Sequence, residues 1–379
     1  MRIGIEAQRI FRKKKHGMDI YALELIRQLQ QEDHVNEYII FVKPGEDKCL
    51  EETANFKIVE VRGFTYADWE QISLPTVAAQ YDLDVLHCTS NTAPLLTNIP
   101  LYLTVHDIIY LNQSFSGGSW YQRLGHSYRK WIVPHVFKRA MKVFTVSEFE
   151  KTKIDKQFGD SGKVEVVYNG VAGHFKEPTN TEIDEVRALF NLPERFIFFL
   201  GNTAPKKNMI GMLEAYGHYR NNDEHSLPLV IAESSPEDLQ KMLERINRPD
   251  LARHIYLTGY VDHQHLPTLY GMAELFVYPS LRESFGIPII EAMACGTPVI
   301  TSNTSSMPEV AGDYAMLIDP TKPLELGEKM ATFLKTDCHY KSFVASEGLI
   351  RASKFTWQET AKAMLQSYSG AEIEQLVLA

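Results

Sequence analysis

Seven residues separate Glu283 from Glu291 in the stretch Glu283-Ser284-Phe285-Gly286-Ile287-Pro288-Ile289-Ile290-Glu291. The run ahead of them, Leu275-Phe276-Val277-Tyr278, is apolar and predicts a buried parallel strand. The run over Ile287–Ala294 predicts a helix, which leads into Cys295-Gly296-Thr297-Pro298. The first acid therefore falls in the loop leaving a strand, and the second falls one or two turns into the next helix. Open α/β sheets take their ligands outside the carboxyl ends of the strands. A carboxylate placed there accepts hydrogen bonds from sugar or ribose hydroxyls. A helix dipole that favours acids at its N-terminus would account for one of the two glutamates without any ligand. It does not account for Ser284-Phe285-Gly286. Gly286 lets a backbone approach a ligand closely, and the free N–H groups of a helix start are open to phosphate.

Four further clusters carry chemistry. Gly201-Asn202-Thr203-Ala204-Pro205-Lys206-Lys207-Asn208 follows the strand-like Phe196–Leu200. Two ammonium groups before a helix N-terminus can neutralise a departing diphosphate. Taken alone, an exposed basic turn explains this cluster as well, and the Walker A pattern is absent. Thr104-Val105-His106-Asp107 closes a strand of the first half; a histidine there is a candidate reacting-centre group, although a lone histidine is more often structural. In His16-Gly17-Met18-Asp19, Gly17 allows a backbone to approach phosphate, while the absence of G-x-G-x-x-G disfavours a dinucleotide site. Thr258-Gly259-Tyr260-Val261 follows another strand; Tyr260 and Val261 could wall a nucleobase, and a turn accounts for them equally well. No Asp-x-Asp metal pair, Gly-x-Ser-x-Gly elbow or zincin helix is present, so no metal is expected.

Short apolar runs alternate with amphipathic segments along all 379 residues. That rhythm predicts parallel sheets covered on both faces. Two series of it, in a chain too long for one comfortable core, predict two doubly wound domains that meet near Asn169-Gly170-Val171. The last helical stretch, from Thr356, carries an apolar stripe of Ala361, Met364, Leu365 and Tyr368 that needs a surface to dock on. Hydrophobic residues make up 44% and charged residues 23%, which excludes disordered and fibrous classes. No run reaches the length of a membrane span. The N-terminus lacks a signal-peptide pattern, and the four cysteines have no zinc or redox spacing. A cytoplasmic protein is expected. The net charge of −9 is uneven: 22 basic and 22 acidic residues lie up to Glu177, and 39 − 22 = 17 basic against 48 − 22 = 26 acidic follow. An acidic second half beside a neutral first half argues against nucleic acid. The basic run Arg9, Arg12, Lys13, Lys14 and Lys15 is either a solvated loop or a site touching phosphates or an anionic membrane surface.

Together these residues resemble the retaining glycosyltransferases of the group 1 family, family four type, which have the GT-B fold. The Glu-x7-Glu signature matches at Glu283 and Glu291. Pro279-Ser280, Glu283-Ser284-Phe285-Gly286, Ala294-Cys295-Gly296-Thr297-Pro298-Val299-Ile300 and Pro308-Glu309-Val310 match around it. Gly259-Tyr260-Val261, Pro205-Lys206-Lys207-Asn208, Val146-Ser147 and Asn169-Gly170-Val171 extend the likeness in the same order along the chain.

The resemblance implies two Rossmann-like domains with parallel sheets facing across a cleft. Residues 1–171 would bind the acceptor and residues 172–355 the nucleotide-sugar donor, with a helix over about 356–379 packing back on the first domain. It implies that Glu291 accepts hydrogen bonds from the ribose, that Glu283 contacts the donor sugar, and that Phe285, Gly286 and Ile287 offer backbone N–H groups. Lys207 would balance the diphosphate, His106 would lie at the reacting centre, and Gly17 near the phosphates. The catalytic set is then His106, Glu283 and Lys207. The donor-binding set is Gly17, Gly201, Asn202, Lys206, Lys207, Tyr260, Val261, Glu283, Phe285, Gly286, Ile287 and Glu291. Asn202 stands where many relatives have arginine, which leaves phosphate neutralisation to two lysines, each a point charge. The expected partners are a GDP- or UDP-linked sugar, with GDP-mannose favoured, and a glycan or lipid-linked acceptor; no cofactor is expected. Sugar would be transferred with retention, without metal. A sugar-nucleotide epimerase and a non-catalytic sugar-nucleotide binder are the readings from other classes. The aromatic, Ser/Gly-rich segment Tyr110–Trp131 is expected to be an acceptor loop or an ordinary surface loop.

Overall fold

The computed structural model describes residues 1–112 and 120–378. They form two compact units: Met1–Asn169 together with the helix from Trp357, and Gly170–Thr356. The first unit is built on seven parallel strands: β1 (Arg2–Glu6), β2 (Glu37–Val42), β3 (Phe56–Glu60), β4 (Val85–Cys88), β5 (Leu101–Thr104), β6 (Lys142–Thr145) and β7 (Val164–Val166). Their order across the sheet is β3-β2-β1-β4-β5-β6-β7. The second unit has six parallel strands: β8 (Ile197–Leu200), β9 (Leu229–Ala232), β10 (Ile255–Gly259), β11 (Leu275–Tyr278), β12 (Val299–Ser302) and β13 (Met316–Ile318). Their order is β10-β9-β8-β11-β12-β13. Both sheets follow the same rule. The chain runs outward from a first central strand, then returns to its other side. Each sheet therefore has one topological switch point, β1/β4 in the first unit and β8/β11 in the second, and such points hold the ligand in folds of this class.

Central strands have no solvent face, so they read as continuous apolar runs. All four residues of β9, β11 and β12 are buried. The strand limits fall within a residue or two of the apolar runs. Ser147 caps the helix Glu148–Phe158, its hydroxyl accepting from the Glu150 N–H at 3.2 Å.

The helix Trp357–Leu378 belongs to the first unit. Ala361, Met364 and Tyr368 of its apolar stripe are fully buried. The Tyr368 hydroxyl is 2.7 Å from Nδ1 of His87 on β4, and Nε2 of that ring is 2.8 Å from Thr104 Oγ1 on β5. Burial, and to a lesser degree His106, lower the His87 pKa to about 3. The imidazole is thus a neutral, doubly hydrogen-bonded peg between sheet and helix.

The expected loop over Tyr110–Trp131 is corrected. Ile109–Asn112 and Trp120–Arg139 are helical, and residues 113–119 lie outside the described residues. Ile132, Val133, Val136 and Phe137 are buried at helical spacing. That stripe outweighs the Tyr, Ser and Gly content that marked the segment as irregular.

Candidate active site

In the second unit, the two loops leaving the strands of the switch point are the two that carry the charged motifs. After β8 the chain runs through Gly201 to a one-turn 3-10 helix, Pro205–Lys207. Gly201 is required by its neighbour, since a Cβ there would lie 2.3 Å from Cζ of Phe199. Asn202 turns onto its own loop and accepts from the Ala204 N–H at 3.0 Å. Asn208 then ties the loop to the next one, its amide donating to the carbonyls of Pro279 at 3.0 Å and Pro320 at 2.8 Å.

After β11 comes Glu283, 8% exposed. Lys207 Nζ donates to its Oε1 at 2.9 Å and to the Tyr278 hydroxyl at 2.5 Å. That hydroxyl donates to the same Glu283 oxygen at 2.9 Å. Lys206 Nζ lies 3.7 Å from the other oxygen. Burial alone would raise the pKa of Glu283, but Lys207, then Lys206, and the hydrogen bonds from Lys207 and Tyr278 hold it below its ordinary value. The carboxylate is ionised, and the two lysines and one glutamate carry a net charge of 2 − 1 = +1. The β12 end fixes the loop from the other side. Ser305 Oγ accepts from the Glu283 N–H at 3.1 Å, and Ser306 Oγ donates to the carbonyls of Glu283 and Phe285, each at 2.9 Å.

Gly286 caps the helix Ile287–Ala294 in the left-handed region, φ 99°, where glycine avoids the steric cost of a Cβ. Phe285 is buried edge-on against Phe355, ring centroids 5.7 Å apart, and Ile287 opens the helix. Glu291, in the second turn, is buried and accepts from the Tyr270 hydroxyl at 3.0 Å. Burial pushes its pKa up to about 7; the Tyr270 hydrogen bond and Lys207 oppose the shift, and Glu233 adds to it. The two acids therefore differ: Glu283 is held charged, whereas Glu291 is half protonated near neutrality. Tyr260 and Val261 follow β10, two strands from β8; Tyr260 is exposed and Val261 buried.

Two candidate residues lie in the first unit. His106 follows β5 and is 8% exposed. Its Nε2–H donates to the Thr89 carbonyl at 2.9 Å, its backbone N–H donates to Asn91 Oδ1 at 2.6 Å, and Tyr21 packs on it edge-on at 4.7 Å. Since Nε2 holds the proton of the neutral ring, Nδ1 keeps the lone pair. Burial lowers its pKa, with the Thr89 bond and Asp107 opposing. Gly17 is the first residue of the helix Gly17–Glu32, where His16 and Asp19 form a capping box. A Cβ on Gly17 would meet nothing within 4 Å. The open space there leaves room for a ligand.

Lys206, Lys207 and Glu283 are thus brought into contact, and Phe285, Gly286 and Ile287 lie on the same loop and helix start. Sequence reasoning missed Tyr278, Tyr270, Ser305 and Ser306. A phenol as the last residue of an otherwise apolar strand was the available signal for Tyr278. The serines lie about twenty residues beyond Glu283, and nothing local marks them.

The family model described as Glycosyltransferase Family 4 matches residues 16–172, and that described as Glycosyl transferases group 1 matches residues 180–346. O-antigen chain mannosyltransferase B of Escherichia coli is 29% identical over 234 residues, 60% of this chain and 60% of that protein. The chain thus matches over less than two thirds of that relative's length. Sucrose-phosphate synthase from Thermosynechococcus elongatus superposes with a TM-score of 0.76 at 18% identity, covering 98% of this chain and 99% of that one. The Anabaena HepE structure in complex with UDP-glucose superposes with a TM-score of 0.74 at 17% identity, covering 98% and 100%. These structural likenesses show the fold, that of the GT-B class. With one family model on the stretch that carries His106 and the other on the stretch that carries Lys207, Glu283 and Glu291, the chain belongs to the group 1 glycosyltransferases, of the family four type.

Proposed function

We propose that the protein is a retaining glycosyltransferase that moves a mannosyl group from GDP-mannose to a glycan or lipid-linked acceptor, with the donor on the second unit and the acceptor on the first. The observation that carries this reading is the Lys207–Glu283–Tyr278 contact, with Lys206 beside it, at the β8/β11 switch point. Cleaving a sugar from a nucleoside diphosphate leaves negative charge on phosphate. Fixed cations and N–H donors stabilise that charge most effectively when they are already in place. Lys206, Lys207 and the N–H groups of Phe285, Gly286 and Ile287 supply them. Glu291 takes the ribose hydroxyls and Glu283 the sugar. Attack comes from the face the leaving group departs, without a protein nucleophile or a metal. Mannose is supported by the name of the Escherichia coli relative. Among the described residues no helix is long and apolar enough to cross a membrane, which fits an enzyme that works from the cytoplasmic side, free or at a membrane surface.

Thermal shift against a panel of nucleotide sugars tests the donor. GDP-mannose at about 100 times its Kd should raise Tm by about 5–8 °C, and UDP-glucose should raise it far less. Strong stabilisation by a UDP-sugar with none from GDP-mannose would refute the donor assignment. The donor incubated alone should yield no new sugar epimer.

His106→Ala should lower transfer about 10²-fold while leaving the Kd for GDP unchanged. An unchanged transfer rate, measured on folded variant, would remove His106 from the reacting centre.

A further inference from the structure

In the first unit, the loops leaving β1, β2 and β3 enclose a cavity of about 520 Å³ on the far side of the β1/β4 switch point from His106. Its charged lining residues are Arg9, Arg12, Lys13, Lys43 and Glu46. Four cations less one carboxylate leave three positive charges, in a chain whose net charge is −9. Glu46 is spent on Lys13, at 2.5 Å. Arg9 is half-buried with its guanidinium 4.8 Å over the Tyr66 ring, and its Nε is buried without a hydrogen-bond partner. The Tyr66 phenol and the acids Glu6 and Asp19 favour the charged Arg9 guanidinium, although burial raises the pKa of Glu6. Arg12 and Lys43 add their charges to the same lining, and a cavity lined by an excess of cations favours an anion. On the rim, Phe64 is wholly exposed, an apolar surface beside the charge.

We propose that this cavity binds a phosphate or diphosphate group carried by the acceptor, with Arg9, Arg12 and Lys43 on its oxygens and Phe64 against the apolar part that follows. The inference rests on the reading of the first unit as the acceptor side, and it narrows the acceptor to a phosphorylated, amphiphilic one. A lipid headgroup of a membrane surface offers the same phosphate chemistry, so the test must separate the two.

The experiment is lysine acetylation of the full chain, read by peptide mass spectrometry, with inorganic pyrophosphate, phosphatidylglycerol vesicles or GDP as probes. Pyrophosphate should protect Lys13 and Lys43. In Arg12→Gln/Lys43→Gln, at exposed and half-exposed positions that should leave folding intact, the concentration that half-protects Lys13 should rise about tenfold. Absence of protection by pyrophosphate would overturn the inference, as would protection by vesicles alone, which would make the cavity a membrane-facing surface. GDP should protect Lys206 in the same digests. Failure there would count against the donor assignment, whatever happens at Lys13.

Discussion

Lys207→Ala should lower the rate of sugar transfer by about 10³-fold, the scale expected when a fixed charge stabiliser is removed from a reacting centre. Lys206→Ala should cost about tenfold, because Lys206 is more exposed and stands 3.7 Å from Glu283 rather than 2.9 Å. The difference follows from position. Either deletion leaves the cluster neutral, but only Lys207 is held in place by both the Glu283 carboxylate and the Tyr278 hydroxyl, so only its charge is already fixed where a leaving phosphate would need it. Stability should fall as well, by on the order of 2–3 kcal/mol at neutral pH, somewhat less than for breaking a fully buried pair. Glu283 is an acid whose pKa is depressed in the folded state. The stability it contributes is present above its unfolded value of 4.5 and is lost as pH falls through the folded value. The Tm gap between wild type and Lys207→Ala should thus be widest at pH 7–8 and narrow as the pH falls below 4.5 through the depressed folded value. A gap independent of pH would show that Lys207 does not hold the Glu283 charge, and a rate within a few fold of wild type would take Lys207 out of leaving-group stabilisation.

Glu291→Gln should make the protein more stable and a poorer enzyme. The carboxyl has a pKa of about 7 in the folded chain against 4.5 for the free group. Between those values the folded state holds a proton that the unfolded state has lost, so stability falls as pH rises through this window, and the full cost is present above pH 7. A displacement from 4.5 to about 7 corresponds to about 3 kcal/mol. The amide, always neutral, escapes that cost. Melting curves should place the variant above wild type at pH 8 and level with it near pH 4.5. Donor binding should move the other way. A ribose diol binds the ionised carboxylate best, so the wild-type Kd for the donor should tighten about tenfold between pH 6 and pH 8. The variant should show a flat profile and a KM raised about tenfold or more. A variant less stable than wild type at pH 8 would refute the burial argument, and a wild-type Kd that does not vary with pH would refute the contact with ribose.

The fold was legible because central parallel strands buried on both faces leave apolar runs, as β9, β11 and β12 do, and such runs recur between helices or turns along both units. The Glu283 loop was legible for a local reason: its acid, its glycine and the strand ahead of it are contiguous. So were the two lysines. What brings them to Glu283 was not legible. That contact depends on β8 and β11 being neighbours, a pairing of strands 75 residues apart that periodicity does not encode. The contrast between Glu283 and Glu291 was hidden for the same reason, since the Lys207 and Tyr270 contacts that separate them come from other elements. The segment Tyr110–Trp131 was misjudged from composition, where the spacing of Ile132, Val133, Val136 and Phe137 just beyond it held the better signal for the helix Trp120–Arg139. The basic run near Lys14 proved to be divided. Lys13 and Lys15 pair with Glu46 and Asp47 from the loop after β2, and Lys13 lines the cavity together with Arg9 and Arg12.

The seating of Tyr368 against His87 has a consequence for how the molecule comes into being. A ribosome delivers β1–β7 first and the helix Trp357–Leu378 only after every residue of the second unit. The earlier-made sheet waits, with His87 and Tyr102 uncovered, through the synthesis of Gly170–Thr356. The later-made unit has all its strands in one continuous stretch and can close as soon as that stretch has emerged. The order of synthesis and the order of completion are therefore reversed. In a released chain that ends at Thr356, protease should spare the second unit and cut the first.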